Sequence, residues 1–433
     1  VWSADPLVRR FVAMTAIAGA AAFWRFTQTP DSLLWRRWSI EGFLASCAAS
    51  WVTLGVVLAV LPARNARARL LAYATATLSI AVCVVVAELP TLLGHDWSVT
   101  FRLDPTWTMQ QLEARVNKPD PELIHVHWPN SEFEGRIPGN LAQFGPPNPH
   151  LYDVRVRYDG NGFRNDETLE RADIVAIGDS FVEGVLVARE HTVSEQIAHR
   201  VGATVANLGQ SGYGFRQERI VLERFGLPLR PRVVLWFLFG GNDFRDVEEY
   251  ERVRERFGLA PPSAPLRQRS FVRSSMVALA RASAPPATAP SLHTAYFRRG
   301  SGERDAVLFG HATSDPSESQ WRVGTETLRA AHGRARAIGA QFLLVYIPRK
   351  FEVYQGLLEI PPGSLVASWR DARVNERTAA WAEREGITFL DTTPTLRAEA
   401  EAGSHPYLLD DVHWNERGHA LVAEAVAARL LSR

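Results

Sequence analysis

Cysteine is nearly absent from this chain: among 433 residues only Cys47 and Cys83 occur, and both fall inside apolar stretches. Two thiols so placed point to neither a disulfide framework nor a cysteine metal site, and they leave the redox compartment open. A surplus of one charge sign is missing as well. Lys and Arg number 48 against 47 Asp and Glu, a formal net charge of +1, so no long-range field gathers a polyanion and no nucleic-acid partner is expected. No internal repeat is apparent. The length exceeds that of one ordinary domain, which predicts at least two units.

Long uncharged runs are confined to the first quarter. Phe43 to Pro62 carries no formal charge over about twenty residues, enough for a helix to cross a hydrocarbon layer roughly 30 Å thick. Leu70 to Ala87 is a second such run, and Ala63-Arg64-Asn65-Ala66-Arg67-Ala68-Arg69 between them is a basic turn that prefers the cytoplasmic side. Phe11 to Trp24 fits two readings, a third span or a signal-peptide core ending near Ala20-Ala21-Ala22. Three spans are the preferred reading. They put the long C-terminal part outside a bacterial-type cytoplasmic membrane, with the N-terminal helices as its anchor. Residues 1–94 are therefore expected to form a membrane region with two or three transmembrane helices, and residues 95–433 the globular domain.

Beyond Gly94, Pro105 to Pro149 reads as a connector folding over its neighbours. Tyr152 to Tyr158 alternates apolar and charged residues with the period of a half-buried strand. From Ala172 onward apolar runs alternate with amphipathic stretches. Strands are expected at Ala172–Ile177, Thr204–Leu208, Arg232–Phe239, Gln341–Ile347 and Ile387–Leu390. Helices are expected at Thr192–Val201, Phe215–Phe225, Glu326–Ile338, Asp371–Glu385 and Glu416–Leu431. That rhythm predicts an α/β fold, a three-layer α/β/α arrangement around a five-stranded parallel sheet, with ligands at the carboxyl ends of the strands. The core would comprise 150–243 and 320–433. The proline-rich stretch 244–319 interrupts it as an insertion, read either as a lid over the active edge with a short helix at Phe271–Ala280 or as a surface excursion.

Four short blocks carry chemistry. They are Gly178-Asp179-Ser180, Asn207 to Gly212, Gly240-Gly241-Asn242-Asp243 and Asp410-Asp411-Val412-His413. Taken singly each is an ordinary turn or cap. In this order, at predicted strand ends and before the last helix, they supply the parts of a serine-ester site: nucleophile, base, orienting carboxylate and oxyanion donors. Ser180 opens a helix after a strand, where exposed N–H groups can face an oxyanion. Asn242 offers a neutral amide donor.

From about Val154 to the C-terminus the blocks resemble those of the SGNH, or GDSL, hydrolase superfamily, whose fold is flavodoxin-like. The resemblance implies Ser180 as nucleophile, His413 as base and Asp410 as acid. It also implies an oxyanion hole formed by Ser180, Gly212 and Asn242. Asp411 is the alternative acid, because some relatives that modify exopolysaccharides carry a shorter Asp-x-His spacing followed by tryptophan, as in Asp411-Val412-His413-Trp414. Asp410 is the preferred choice.

The expected activity is hydrolysis of carboxylic O-acyl esters on an acylated carbohydrate or a lipid, without metal or organic cofactor. The competing expectations are an O-acyltransferase built on the same triad and a catalytically idle glycan-binding or assembly protein. His125-Val126-His127 has the spacing of two ligands on one strand face but no third partner nearby in sequence. Gly162-Phe163-Arg164-Asn165 resembles a segment of envelope-associated members of the superfamily, and its spacing assigns it no role.

Overall fold

The computed structural model describes residues 40–60, 66–95, 97–100, 116–145, 150–255, 269–283, 292–310 and 315–432. Its helices are α1 (Ile40–Val60), α2 (Ala66–Leu92), α3 (Ser180–Glu183), α4 (Val193–Val201), α5 (Phe215–Val221), α6 (Asp243–Glu255), α7 (Phe271–Ser283), α8 (Glu318–Ala337), α9 (Lys350–Tyr354), α10 (Val374–Glu385), α11 (Thr393–Glu401) and α12 (Glu416–Leu431). Its strands are β1 (Asn117–Asp120), β2 (Ile124–His127), β3 (Glu132–Pro138), β4 (Leu151–Arg157), β5 (Ile174–Gly178), β6 (Val205–Gly209), β7 (Val233–Phe239), β8 (Thr294–Arg298), β9 (Arg304–Leu308), β10 (Gln341–Ile347), β11 (Leu358–Glu359) and β12 (Thr388–Asp391).

Continuous apolar runs such as Val233–Phe239 belong in a sheet covered on both faces. They form a five-stranded, all-parallel sheet in the order β12-β10-β7-β5-β6. Side chains alternate across it. Leu235, Phe237 and Phe239 of β7 join one core with α4 and α12 through Val193, Ile197, Val422 and Val426. Val234, Trp236 and Leu238 join the opposite core with α5, α8 and α10 through Phe215, Leu328, Ala331 and Trp381. The chain leaves β5 for β6 on one side and continues through β7 on the other. The sheet thus switches direction between β5 and β7, and a crevice opens at their carboxyl ends. Ser180 follows β5 and Asn242 follows β7 at that crevice.

The five expected strands appear within a residue or two of their sequence bounds, and β4 pairs antiparallel with β3. Three expectations need correction. The 105–149 connector contains the β1–β2 hairpin and β3 among its described residues; Pro119, Pro121 and Pro138 concealed them. Helix α8 starts at Glu318 rather than Glu326, because Ser317 and Gln320 form a reciprocal capping box there. Helix α5 ends at Val221 and the chain runs on as a wider π turn to Gly226.

The described residues of 244–319 are shared between two groupings of elements. The chain divides into two compact units, Val1–Trp107 with Pro261–Thr288 and Thr108–Ala260 with Ala289–Arg433. Residues 244–255 complete α6, while β8 and β9 form a hairpin that pairs with β11 in the second unit. Helix α7 groups instead with α2, whose Glu88 caps its start: the carboxylate accepts from Phe271 N at 3.0 Å, Val272 N at 2.9 Å and Ser270 Oγ at 2.6 Å.

In the first unit, α1 and α2 are joined through Trp51 and Tyr73, whose rings stack at 5.2 Å. Among the described residues one helix, Leu71–Leu92, is long and apolar enough to cross a membrane, and its apolar side chains are exposed. The apolar part of α1 described in full, Cys47–Leu58, is shorter. Phe11 to Trp24 lies outside the described residues.

Close packing of β6 on α3 generates a test. A Cβ built at Gly209 lies 2.5 Å from the Glu183 backbone N and 2.6 Å from Val182 Cβ. Gly209→Ala is expected to cost about 1–3 kcal/mol, read as a lowered thermal midpoint; an unchanged midpoint would show that α3 moves aside freely.

Candidate active site

Ser180 sits at the start of a single helical turn. Asp179 caps it, accepting from Phe181 N at 2.9 Å, and Gly184 ends it in the left-handed region at φ 68°. With only four residues in α3, local N–H groups rather than a summed helix dipole provide the positive end.

His413 lies in the loop before α12. Its Nε2 is 2.6 Å from Ser180 Oγ, and its Nδ1 is 2.5 Å from Asp411 Oδ1. The same oxygen accepts from His413 N at 2.8 Å, while Asp411 Oδ2 accepts from Asn140 N at 2.6 Å. Asp411 is buried, and burial alone would raise its pKa; the adjacent imidazole and the Asn140 and His413 N–H groups reverse this, leaving it below the usual carboxylate value. His413 shows the mirror balance. Burial disfavours its charge, but the Asp411 carboxylate, helped by Asp179 and Glu183, holds its pKa above the ordinary imidazole value.

The carboxylate that meets the His413 ring is thus that of Asp411, not of the expected Asp410. Asp410 points elsewhere and accepts a hydrogen bond from Tyr152 OH. Its backbone is fixed too: Leu141 N donates to Asp410 O at 3.0 Å, and a Cβ on Gly139 would come within 2.3 Å of that oxygen. A three-residue spacing that fits an imidazole by sequence is consumed here by packing on the 139–141 turn. Two residues suffice because Asp411 turns inward under the ring.

Lys350 supports the same loop from below. Its buried Nζ donates to the carbonyls of Leu408, Leu409 and Asp411 at 2.6, 2.8 and 3.1 Å, and to Leu308 O at 2.9 Å. Burial draws its pKa down to about 7 against the opposing pull of Asp411 and Asp410.

The remaining sequence candidates also reach this edge. Asn242 is partly exposed, and its amide donates to the Asp246 carboxylate. Asp243 accepts from Phe239 N at 2.8 Å and so fixes the turn. Gly212 is exposed at φ 79°, a conformation that only glycine adopts without strain. Behind them lies an acidic group. Burial raises Asp179 and Asp246 to about 6 and holds Glu218 and Asp243 well above the usual carboxylate range.

Several residues escaped the sequence reading. Buried Glu183, three positions after Ser180, accepts on Oε1 from Tyr158 OH at 2.6 Å and faces His127 Nε2 at 3.1 Å. Its Oε2 accepts from Ser211 N and Ser211 Oγ, both at 2.6 Å. Buried Arg164 donates to the carbonyls of Glu183, Gly184 and Val187. Asn165 exchanges hydrogen bonds with the Asn207 backbone, at 2.9 and 3.1 Å. The Gly162-Phe163-Arg164-Asn165 segment is thus the brace of the nucleophile turn and of β6. The His125-Val126-His127 pair does not stand free as ligands: His125 Nε2 meets Ser211 O at 3.1 Å and His127 meets Glu183.

Residues 176–421, more than half of the chain, match the GDSL-like lipase/acylhydrolase family, and the chain belongs to that family. No curated protein matches it. Among solved structures it is similar to an acetyl-xylooligosaccharide esterase variant from Geobacillus Stearmophilus. Identity is 14%, with 61% of this chain and 95% of that one covered at a TM-score of 0.34. A lipase/acylhydrolase from Enterococcus faecalis is 11% identical over 60% of this chain and 95% of its own, with a TM-score of 0.33. A GDSL-like lipase from Bacteroides thetaiotaomicron is 14% identical over 61% and 88%, with a TM-score of 0.31. Family membership rests on the sequence match, and these low-scoring likenesses add no argument about substrate.

The two aspartates are separable by experiment. Asp411→Asn is expected to slow reaction of Ser180 with a fluorophosphonate by about 10³- to 10⁴-fold, and Asp410→Asn by less than about tenfold. The reaction requires neutral His413, so its rate should fall as pH drops through a value above the ordinary imidazole pKa. Removing the Asp411 charge should move that limb to lower pH; equal effects of the two substitutions would overturn the assignment.

Proposed function

We propose that this chain is a serine carboxylic-ester hydrolase that works through an acyl-enzyme at Ser180. The observation that carries the reading is the contiguous Ser180–His413–Asp411 chain, at 2.6 and 2.5 Å, on the crevice edge of the parallel sheet. Ser180 Oγ passes its proton to His413 Nε2 as it bonds to the ester carbonyl carbon. The carbonyl π pair moves onto oxygen, and the backbone N–H groups of Ser180 and Gly212 and the amide of Asn242 receive the negative charge. One Asn242 N–H is held by Asp246, which orients the second. Each such donor is worth about 3–4 kcal/mol in the transition state. Collapse breaks the bond to the alcohol oxygen, which takes the proton from His413. Water then repeats the sequence on the acyl-enzyme, losing a proton to His413 and releasing the acid and free Ser180. Asp411 remains ionised throughout.

The substrate class we propose is an O-acyl ester of cell-envelope carbohydrate or lipid. The Leu71–Leu92 helix supports a membrane-bound protein: 22 residues span about 33 Å, close to the hydrocarbon thickness. Arg64, Arg67 and Arg69 precede this helix, which favours a cytoplasmic start and an extracytoplasmic catalytic unit. A second reading has its own support. The Asp411-Val412-His413-Trp414 spacing resembles that of exopolysaccharide-modifying relatives, and a sugar hydroxyl replacing water in the second half would make the protein an O-acyltransferase.

Three experiments test these readings. Fluorophosphonate treatment of the full chain in detergent should label Ser180 by mass spectrometry, and Ser180→Ala and His413→Ala should each abolish labelling. No labelling of folded protein would overturn the esterase reading, and acyl transfer to added oligosaccharide at the expense of free acid would select the transferase. The full chain should also stay in the membrane through alkaline carbonate extraction; its release would overturn the anchor.

A further inference from the structure

The β1–β2 hairpin reaches the loop that presents Gly212, and the contacts are specific. His125 Nε2 is 3.1 Å from Ser211 O. Two residues on, Tyr213 OH donates at 2.5 Å to the backbone carbonyl of His125. The His125 and Tyr213 rings meet edge to face, centroids 5.3 Å apart. The His125 Cε1 lies 3.9 Å from the position of a Cβ built on Gly212. Burial of His125 disfavours its charged form and lowers its pKa, so at neutral pH one ring nitrogen carries a proton. The carbonyl acceptor selects the Nε2–H tautomer.

Ser211 O and Gly212 N belong to one peptide unit. In a planar trans peptide the C=O and N–H point in opposite directions, and the described chain contains no cis bond. Holding the Ser211 carbonyl toward the hairpin therefore turns the Gly212 N–H away from it. The previous peptide is held as well, since Ser211 N and Oγ both donate to Glu183 Oε2. Without these ties a glycine at φ 79° has wide freedom to rotate the peptide.

We propose that His125 is a positioning residue for oxyanion stabilisation. Its Nε2–H fixes the orientation of the Ser211–Gly212 peptide, so that the Gly212 N–H is set before the ester arrives. This rests on the esterase reading above. His125 touches neither substrate nor Ser180; it acts through the peptide plane. Pre-set donors stabilise the transition state more than the bound ester, so loss of His125 should lower kcat and leave KM nearly unchanged.

The test measures kcat and KM for a p-nitrophenyl ester at pH 8 with the full chain in detergent. His125→Ala is expected to lower kcat by about 10- to 100-fold, short of the loss of a whole donor. His125→Gln, whose amide nitrogen can replace Nε2–H, should recover most of the activity. His125→Glu is of the same length but only accepts, and should be as poor as the alanine variant or worse. If the alanine variant does not fold, the Gln and Glu pair decides alone, on samples with the wild-type thermal midpoint. Wild-type kcat in His125→Ala, equal kcat in the Gln and Glu variants, or a loss confined to KM would each overturn the proposal. Wild-type turnover that survives Ser180→Ala would instead overturn the esterase reading, so the two failures are distinguishable.

Discussion

The buried Glu183 carboxylate is the interaction on which the reactive edge rests. An ionised carboxylate inside a protein is costly unless its lone pairs are filled. Here His127, Tyr158 and both the N–H and hydroxyl of Ser211 surround it, and against the cost of burial they bring its pKa down to about 2. Glu183 belongs to the same helical turn as Ser180. Fixing one carboxylate therefore fixes the Ser180 turn relative to the Ser211–Gly212 loop, to His127 at the end of β2 and to Tyr158 just after β4. Arg164 completes this side by donating to the carbonyls of Glu183, Gly184 and Val187.

A second, separate framework holds His413. The loop from Leu408 to His413 receives Lys350 from α9, the Asn140 amide from the turn after β3, and the backbone of Leu308 at the end of β9. Buried carbonyls need donors, and four of them lie within hydrogen-bond distance of the Lys350 Nζ. The two frameworks meet at the Ser180–His413 hydrogen bond. A rigid placement from both sides suits chemistry whose rate depends on donors already aimed at the developing charge.

The first unit presents a different balance. Glu88 is the one formal charge in the apolar stretch Leu71–Leu92 of α2. It is occupied by the start of α7, supplying the acceptors that the first N–H groups of that helix lack. The proline-rich segment thus docks part of its length on the N-terminal helices rather than serving only the catalytic unit.

Much of this was legible in the sequence because it is local. Apolar runs of strand length between amphipathic stretches determined the five central strands and the alternation of layers, since period and burial go together. Four short blocks at strand ends determined which serine, histidine, asparagine and glycine reach one edge. The strands within 105–149 were hidden because Pro119, Pro121 and Pro138 mask strands whose register is set by neighbours. Tertiary structure alone decided between Asp410 and Asp411, for both lie within reach of His413 along the chain, and packing against Gly139 and Tyr152 occupies one of them. It alone assigned Glu183, Arg164, Lys350 and His125 their partners. Their contacts span from 19 to 88 positions of chain, and no local pattern carries information about which distant groups a buried charge or ring will meet.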